Sequence, residues 1–175
     1  MNWIRNNFTT YQNPNLNSYL QELTTRLEIS ALRQYKNLRR TNWKIHIINS
    51  EKHNAFSAGL ANIIITKNLI QNSQNEASLA AIIAHEMSHH YLGHKKTNQQ
   101  NEIQADTLAV NIIEVAGFRA DATLNALNIL YRIKEEKVSN SLDKRRANLS
   151  KVLKGKVVWG IGDSRKYREV IRGIK

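Results

Sequence analysis

Ala84-His85-Glu86-Met87-Ser88-His89-His90 is the stretch on which the reading of this chain turns. On a helix, residues four apart are offset by only about 40°, so His85 and His89 project side by side and can share one Zn²⁺. Glu86 follows about 100° round from His85, where its carboxylate reaches the metal's open position and can act as a base. The approach, Ala77-Ser78-Leu79-Ala80-Ala81-Ile82-Ile83-Ala84, is uncharged and small or aliphatic nearly all round, which reads as a buried helix. Two imidazoles and a carboxylate at the end of a buried helix need compensation, and a metal provides it. The plain alternative is a pair of satisfied core histidines beside a surface Glu.

His-Glu-x-x-His is the pattern of zinc metalloproteases, whose catalytic metal takes three protein ligands and keeps a fourth position for water. An extension of the metzincin type fails, because Leu92 and Lys95 stand where it needs Gly and His. The better third ligand is Glu102, in Asn101-Glu102-Ile103-Gln104-Ala105-Asp106. A turn around Gly93 and the polar run that follows would return a second helix past the first. Glu102, Asp106, Ala109 and Ile113 then share one face, with Ala105 and Ala109 small enough for close contact. Asp106 is placed to accept the second N–H of a metal-binding histidine and set its tautomer. Here the alternative is an exposed acidic helix start.

With Glu-x-x-Ala-Asp after His-Glu-x-x-His, the chain resembles the gluzincin metallopeptidases of family forty-eight, and within it the soluble, periplasmic BepA-like branch. Asn13-Pro14-Asn15-Leu16 resembles the start of that branch, Asn54-Ala55-Phe56-Ser57 its Asn-Ala-Phe strand, and Ala116-Gly117-Phe118 its Ala-Gly-Tyr. The likeness covers residues 13–149. It implies a zincin-like α+β fold, one Zn²⁺ on His85, His89 and Glu102, Glu86 as catalytic base, and protein quality control as the setting. It also implies that polypeptide substrate adds as a β-strand beside Asn54, Ala55, Phe56 and Ser57, held by backbone bonds with little demand on side chains. An ordinary internal strand is the alternative. The chain departs from the family at Ser139-Asn140, where the family carries His-Pro, so no histidine is matched there to stabilise an oxyanion. Arg145 matches the family's Arg and is a candidate to stabilise developing negative charge; a helix-surface cation is the alternative.

The rest of the chain sets the frame. One hundred and seventy-five residues suit a single domain, with a core over residues 13–150 and a strand–helix extension over 151–175. Asn13-Pro14 is a good helix start, and Leu16, Tyr19, Leu20, Leu23 and Leu27 predict a helix over 14–34. Trp43-Lys44-Ile45-His46-Ile47-Ile48 alternates as a strand, and residues 54–58 and 62–66 make two more, turned at Gly59. His46 and His53 lie here and read as strand or surface histidines rather than extra ligands. Gly117 is a natural helix C-cap, followed by a helix over 121–137. Residues 157–159 are a strand candidate and 165–172 a basic helix. The whole predicts zinc helices on a small, mostly antiparallel sheet.

A formal charge of +12 favours acidic partners, yet the Lys and Arg residues are scattered and no nucleic-acid motif accompanies them. A solvated basic face, able to meet an anionic surface, is the default, and nucleic acid is the weaker reading. No hydrophobic run approaches the roughly 18 residues of a membrane span, and no secretory signal is visible at Met1-Asn2-Trp3-Ile4-Arg5. The expectation is a bacterial periplasmic or envelope protein if a signal has been removed, and otherwise a cytoplasmic one. The absence of cysteine excludes disulfides and thiolate ligands. The expected function is zinc endopeptidase on unfolded polypeptide. Its rivals are a zinc-bearing but proteolytically silent or latent chaperone, and a basic nucleic-acid binder.

Overall fold

The computed structural model describes residues 2–59, 61–96, 98–131, 139–156 and 159–174. Several of its helices begin where a side chain satisfies a free backbone N–H group. Helix α1 spans Asn2–Asn7 and α2 Pro14–Gln34, the latter capped by Asn13, whose side chain accepts from the Leu16 N–H at 3.1 Å. The expected 14–34 helix is therefore observed in full. Leu16, Leu20, Leu23 and Leu27 face inward and are buried.

Three short strands follow: β1 (Lys44–Ile48), β2 (Ala55–Ser57) and β3 (Asn62–Thr66). They lie in the order β1-β3-β2. β2 and β3 form an antiparallel hairpin, but β1 runs parallel to β3, from Lys44 opposite Asn62 to Ile48 opposite Thr66. The sheet is thus mixed, not mostly antiparallel. Its central strand explains the arrangement. Ile63, Ile64 and Ile65 are fully buried, so β3 carries apolar side chains to both faces and takes the middle position.

Thr66 closes β3 and caps a short helix, α3 (Lys67–Gln71), through its hydroxyl; periodicity did not reveal this helix. Helix α4 (Glu76–Tyr91) is capped by Asn75 and α5 (Gln99–Val115) by Asn98. Every residue of α4 from Glu76 to His85 is buried, in line with the uncharged run over residues 77–84. It packs on α5, on β2 and on helix α6 (Ala122–Tyr131). The remainder of the expected 121–137 helix lies outside the described residues. Helix α7 (Ser139–Val152) packs on α5, and α8 (Arg165–Arg172) on α2.

The C-terminal segment is tied to the start of α4. Gly162 C=O accepts from the Ala77 N–H at 3.0 Å, and the Asp163 carboxylate accepts from the Glu76 N–H at 2.8 Å. Of the strand candidate at 157–159, Val157 and Val158 lie outside the described residues, and the segment's observed pairing is a single parallel bridge between Phe118 and Ile161. Gly160 is required there: a Cβ would sit 2.6 Å from the backbone of Phe118 and Arg119. The fold is α+β, with α4 as its central helix.

Candidate active site

His85 and His89 project from the last turns of α4. Gly93, at φ +66, reverses the chain and Asn98 starts α5, so Glu102 arrives in the first turn of the returning helix. Nε2 of His85 lies 3.0 Å from Nε2 of His89, and each lies 3.4 Å from an oxygen of Glu102. A tetrahedral zinc with bonds of about 2.0–2.2 Å holds its ligand atoms about 3.4 Å apart. The three donors, two imidazole nitrogens and a carboxylate, therefore match zinc in both chemistry and spacing. Among the described residues this trio is the one group of three or more metal-ligating side chains close enough to hold an ion.

Behind the trio lies a buried ion network. Nδ1 of His85 is 2.9 Å from the Asp106 carboxylate, a charge contact without aligned hydrogen-bond geometry. Arg145, on α7, donates to both oxygens of Asp106 at 2.7 and 2.8 Å. Its third nitrogen reaches Glu102 at 2.6 Å. Arg145 is 7% exposed, so it is not a helix-surface cation. The structure turns it toward the carboxylates of Asp106 and Glu102, and the residue also borders the cleft. Ser139 and Asn140 open the same helix.

The network sets the charges. Burial pushes against the imidazolium of His85, but the carboxylates of Asp106 and Glu102 outweigh it, and its pKa is raised to about 10 without metal. Burial alone would raise Glu102 and Asp106; the imidazole and guanidinium partners hold both below the usual carboxylate range. Glu86 goes the other way. Burial pushes its carboxyl up, and His85 and His89 pull it back only in part. The Ser57 N–H donates to Glu86 at 3.0 Å and orients it.

That bond follows from strand geometry. Asn54 C=O and Ala58 N–H pair with β3, so the backbone groups of Ala55 and Ser57 point away from it, toward the cleft. β2 is the sheet edge beside α4. Asn54, Ala55, Phe56 and Ser57 line one wall of a cleft of about 450 Å³ whose floor is His85, Glu86 and His89. Larger hollows lie along α2, but none gathers a metal-ligating trio. His53 borders the cleft, whereas His46 bonds to Asn62 at 2.9 Å.

His90 packs edge-on to Trp43 at 4.9 Å, so it is not among the ligands. His94 lies against the far nitrogen of His89, and Gln104 lies against His94. Neither His94 nor Gln104 was singled out from the sequence. The available signal was Gly93, which marks the helix end and puts the residue after it back against His89.

The sequence profile of peptidase family M48 matches residues 14–101, about half of the chain. The chain belongs to peptidase family M48. It is also similar to a beta-barrel assembly-enhancing protease from Yersinia pestis, 33% identical over 76 residues, which is 43% of this chain and 15% of that protein. The chain thus spans a small part of that relative's length. That membership places it by family among the metallopeptidases. The matched region ends at Asn101, so the parts of Glu102, Asp106 and Arg145 rest on geometry. Among the described residues no helix is long and apolar enough to cross a membrane.

Proposed function

We propose that this M48 chain is a zinc endopeptidase that cleaves extended segments of unfolded or misassembled polypeptide. The observation that carries the reading is the convergence of His85, His89 and Glu102 on one point, with Glu86 beside it and an open strand edge alongside. His85, His89 and Glu102 would hold the zinc, which when bound supplies a Lewis acid for the scissile carbonyl and lowers the pKa of water. Glu86 takes a proton from the attacking water and delivers it to the leaving amine. Its raised pKa suits both halves of that transfer. The Ser57 N–H keeps the carboxylate aimed. Substrate lies along β2 and bonds to its outward backbone groups, with little demand on side-chain sequence. Asp106 orients His85, and Arg145 holds Asp106 and Glu102 in register.

The kinship with an assembly-enhancing protease supports quality control as the setting and the bacterial cell envelope as the compartment. The test is hydrolysis of unfolded casein by zinc-loaded protein and by Glu86→Gln, which keeps the ligands and removes the base. Activity lost in the variant supports the assignment. Equal activity in both refutes it, and zinc binding without activity in either points to a latent or chaperone-like protein.

A further inference from the structure

We propose that His94 and Gln104 are positioning residues that hold His89 in the tautomer able to bind metal. The inference rests on the metal site described above and concerns the helix end that follows it. Helix α4 closes with Gly93 at φ +66; His94 N–H donates to His89 C=O at 2.9 Å, and Gly93 N–H to His90 C=O at 3.0 Å. This is a Schellman closure, which brings the residue after the glycine against the residue five before it. Helices commonly place an apolar pair at those positions. Here they hold two imidazoles, 5.1 Å between centroids, with Nδ1 of His94 3.0 Å from Nδ1 of His89. The other nitrogen of His94 lies 3.1 Å from Oε1 of Gln104.

The chain of bonds has a direction. A neutral imidazole carries one N–H and one lone pair. Oε1 of Gln104 only accepts, so Nε2 of His94 carries the hydrogen and its Nδ1 presents a lone pair. Nδ1 of His89 must then donate, which leaves the lone pair of its Nε2 directed at His85 and Glu102. The opposite direction would put hydrogen on that Nε2 and remove it as a ligand. Gln104 thus sets the tautomer two rings away. It belongs to α5, which also supplies Glu102 and Asp106. Both ligand histidines are therefore supported from one helix, His85 directly and His89 through His94.

The test measures zinc affinity of the full chain by competition with a chromophoric chelator, with no use of proteolysis. His94→Leu should lose about 10- to 100-fold in affinity, the usual effect of removing a group behind a ligand. His94→Asn, whose Oδ1 can accept where Nδ1 did, should stay within a few-fold of wild type. Gln104→Met should lose less than His94→Leu, because its bond is exposed. Equal affinity in wild type and His94→Leu overturns the proposal. Equal losses in His94→Leu and His94→Asn also overturn it, since packing and not the acceptor would then matter. Long-range ¹H–¹⁵N spectra of the zinc-loaded protein give a second readout: hydrogen on Nε2 of His94 is expected, and hydrogen on Nδ1 overturns the proposal. A wild type that takes up no zinc removes the metal site itself. A wild type that binds zinc with the expected variant pattern but cleaves nothing removes only the peptidase reading.

Discussion

Arg145→Met tests whether the carboxylates of Asp106 and Glu102 depend on the guanidinium between them. Arg145 and Asp106 are 7% and 6% exposed, and three nitrogens of Arg145 lie 2.6 to 2.7 Å or, for the second Asp106 contact, 2.8 Å from carboxylate oxygens. Met fills much of the stem's volume, so the main loss is electrostatic. Removing one partner of a buried ion pair leaves an uncompensated charge and costs about 3–5 kcal/mol. Whole-chain stability for a domain of this kind is about 5–15 kcal/mol, so the effect is large but measurable. The assay is urea unfolding of chelator-treated protein, followed by fluorescence of the buried Trp43. Arg145→Lys, which keeps the charge and loses the two-pronged contact, should recover part of the loss. The pH dependence has a definite sign. Asp106 is held below its ordinary 3.8, so its ionised form contributes stability that is complete above that value and lost as the pH falls through the lower native one. The gap between wild type and Arg145→Met should therefore be full at neutral pH and narrow in acid. A loss under about 1 kcal/mol at pH 7, the scale of an exposed pair, would refute the reasoning.

Other predictions follow from the same geometry. Zinc uptake near pH 7 should release about one proton, because metal-free His85 is protonated up to about 10. Titration calorimetry in buffers of different ionisation enthalpy reads this directly, and buffer-independent heats would contradict it. In the metal-free protein the His85 contribution to stability is complete below 6.5 and lost as the pH rises toward about 10. Ser57→Pro removes the N–H that aims Glu86 while leaving the β3 pairing intact, since that N–H points outward. Casein hydrolysis should fall about 10- to 100-fold, the effect of one bond to a charged group, with little change in urea midpoint. Gly160→Ala forces a Cβ to 2.6 Å from the Phe118–Arg119 backbone. It should cost about 1–3 kcal/mol, read as a lower Tm, and an unchanged Tm would show that the segment is not seated there.

Much of the fold was legible because local rules act on neighbouring residues. Asn13-Pro14 marks the start of α2 and the leucines after it mark its buried face, and Gly117 at φ +81 ends α5 as its place after the apolar face predicts. The uncharged run before His85 foretold a buried helix, since no face of it can meet water at low cost. Helical spacing grouped His85, His89 and Glu102, and the structure brings one donor atom of each within 4.8 Å of the others.

What only the tertiary structure decided is which distant groups meet. A side chain's period tells which face it occupies, but not what another segment will present to that face. Arg145 reads equally as surface cation or oxyanion group until α7 packs on α5 and buries it between Asp106 and Glu102. The same holds for β1, whose alternating pattern fits parallel and antiparallel pairing alike. Its direction follows from the chain path: β1 leads to the far edge, β2, and the β2–β3 hairpin brings β3 back between them, parallel to β1.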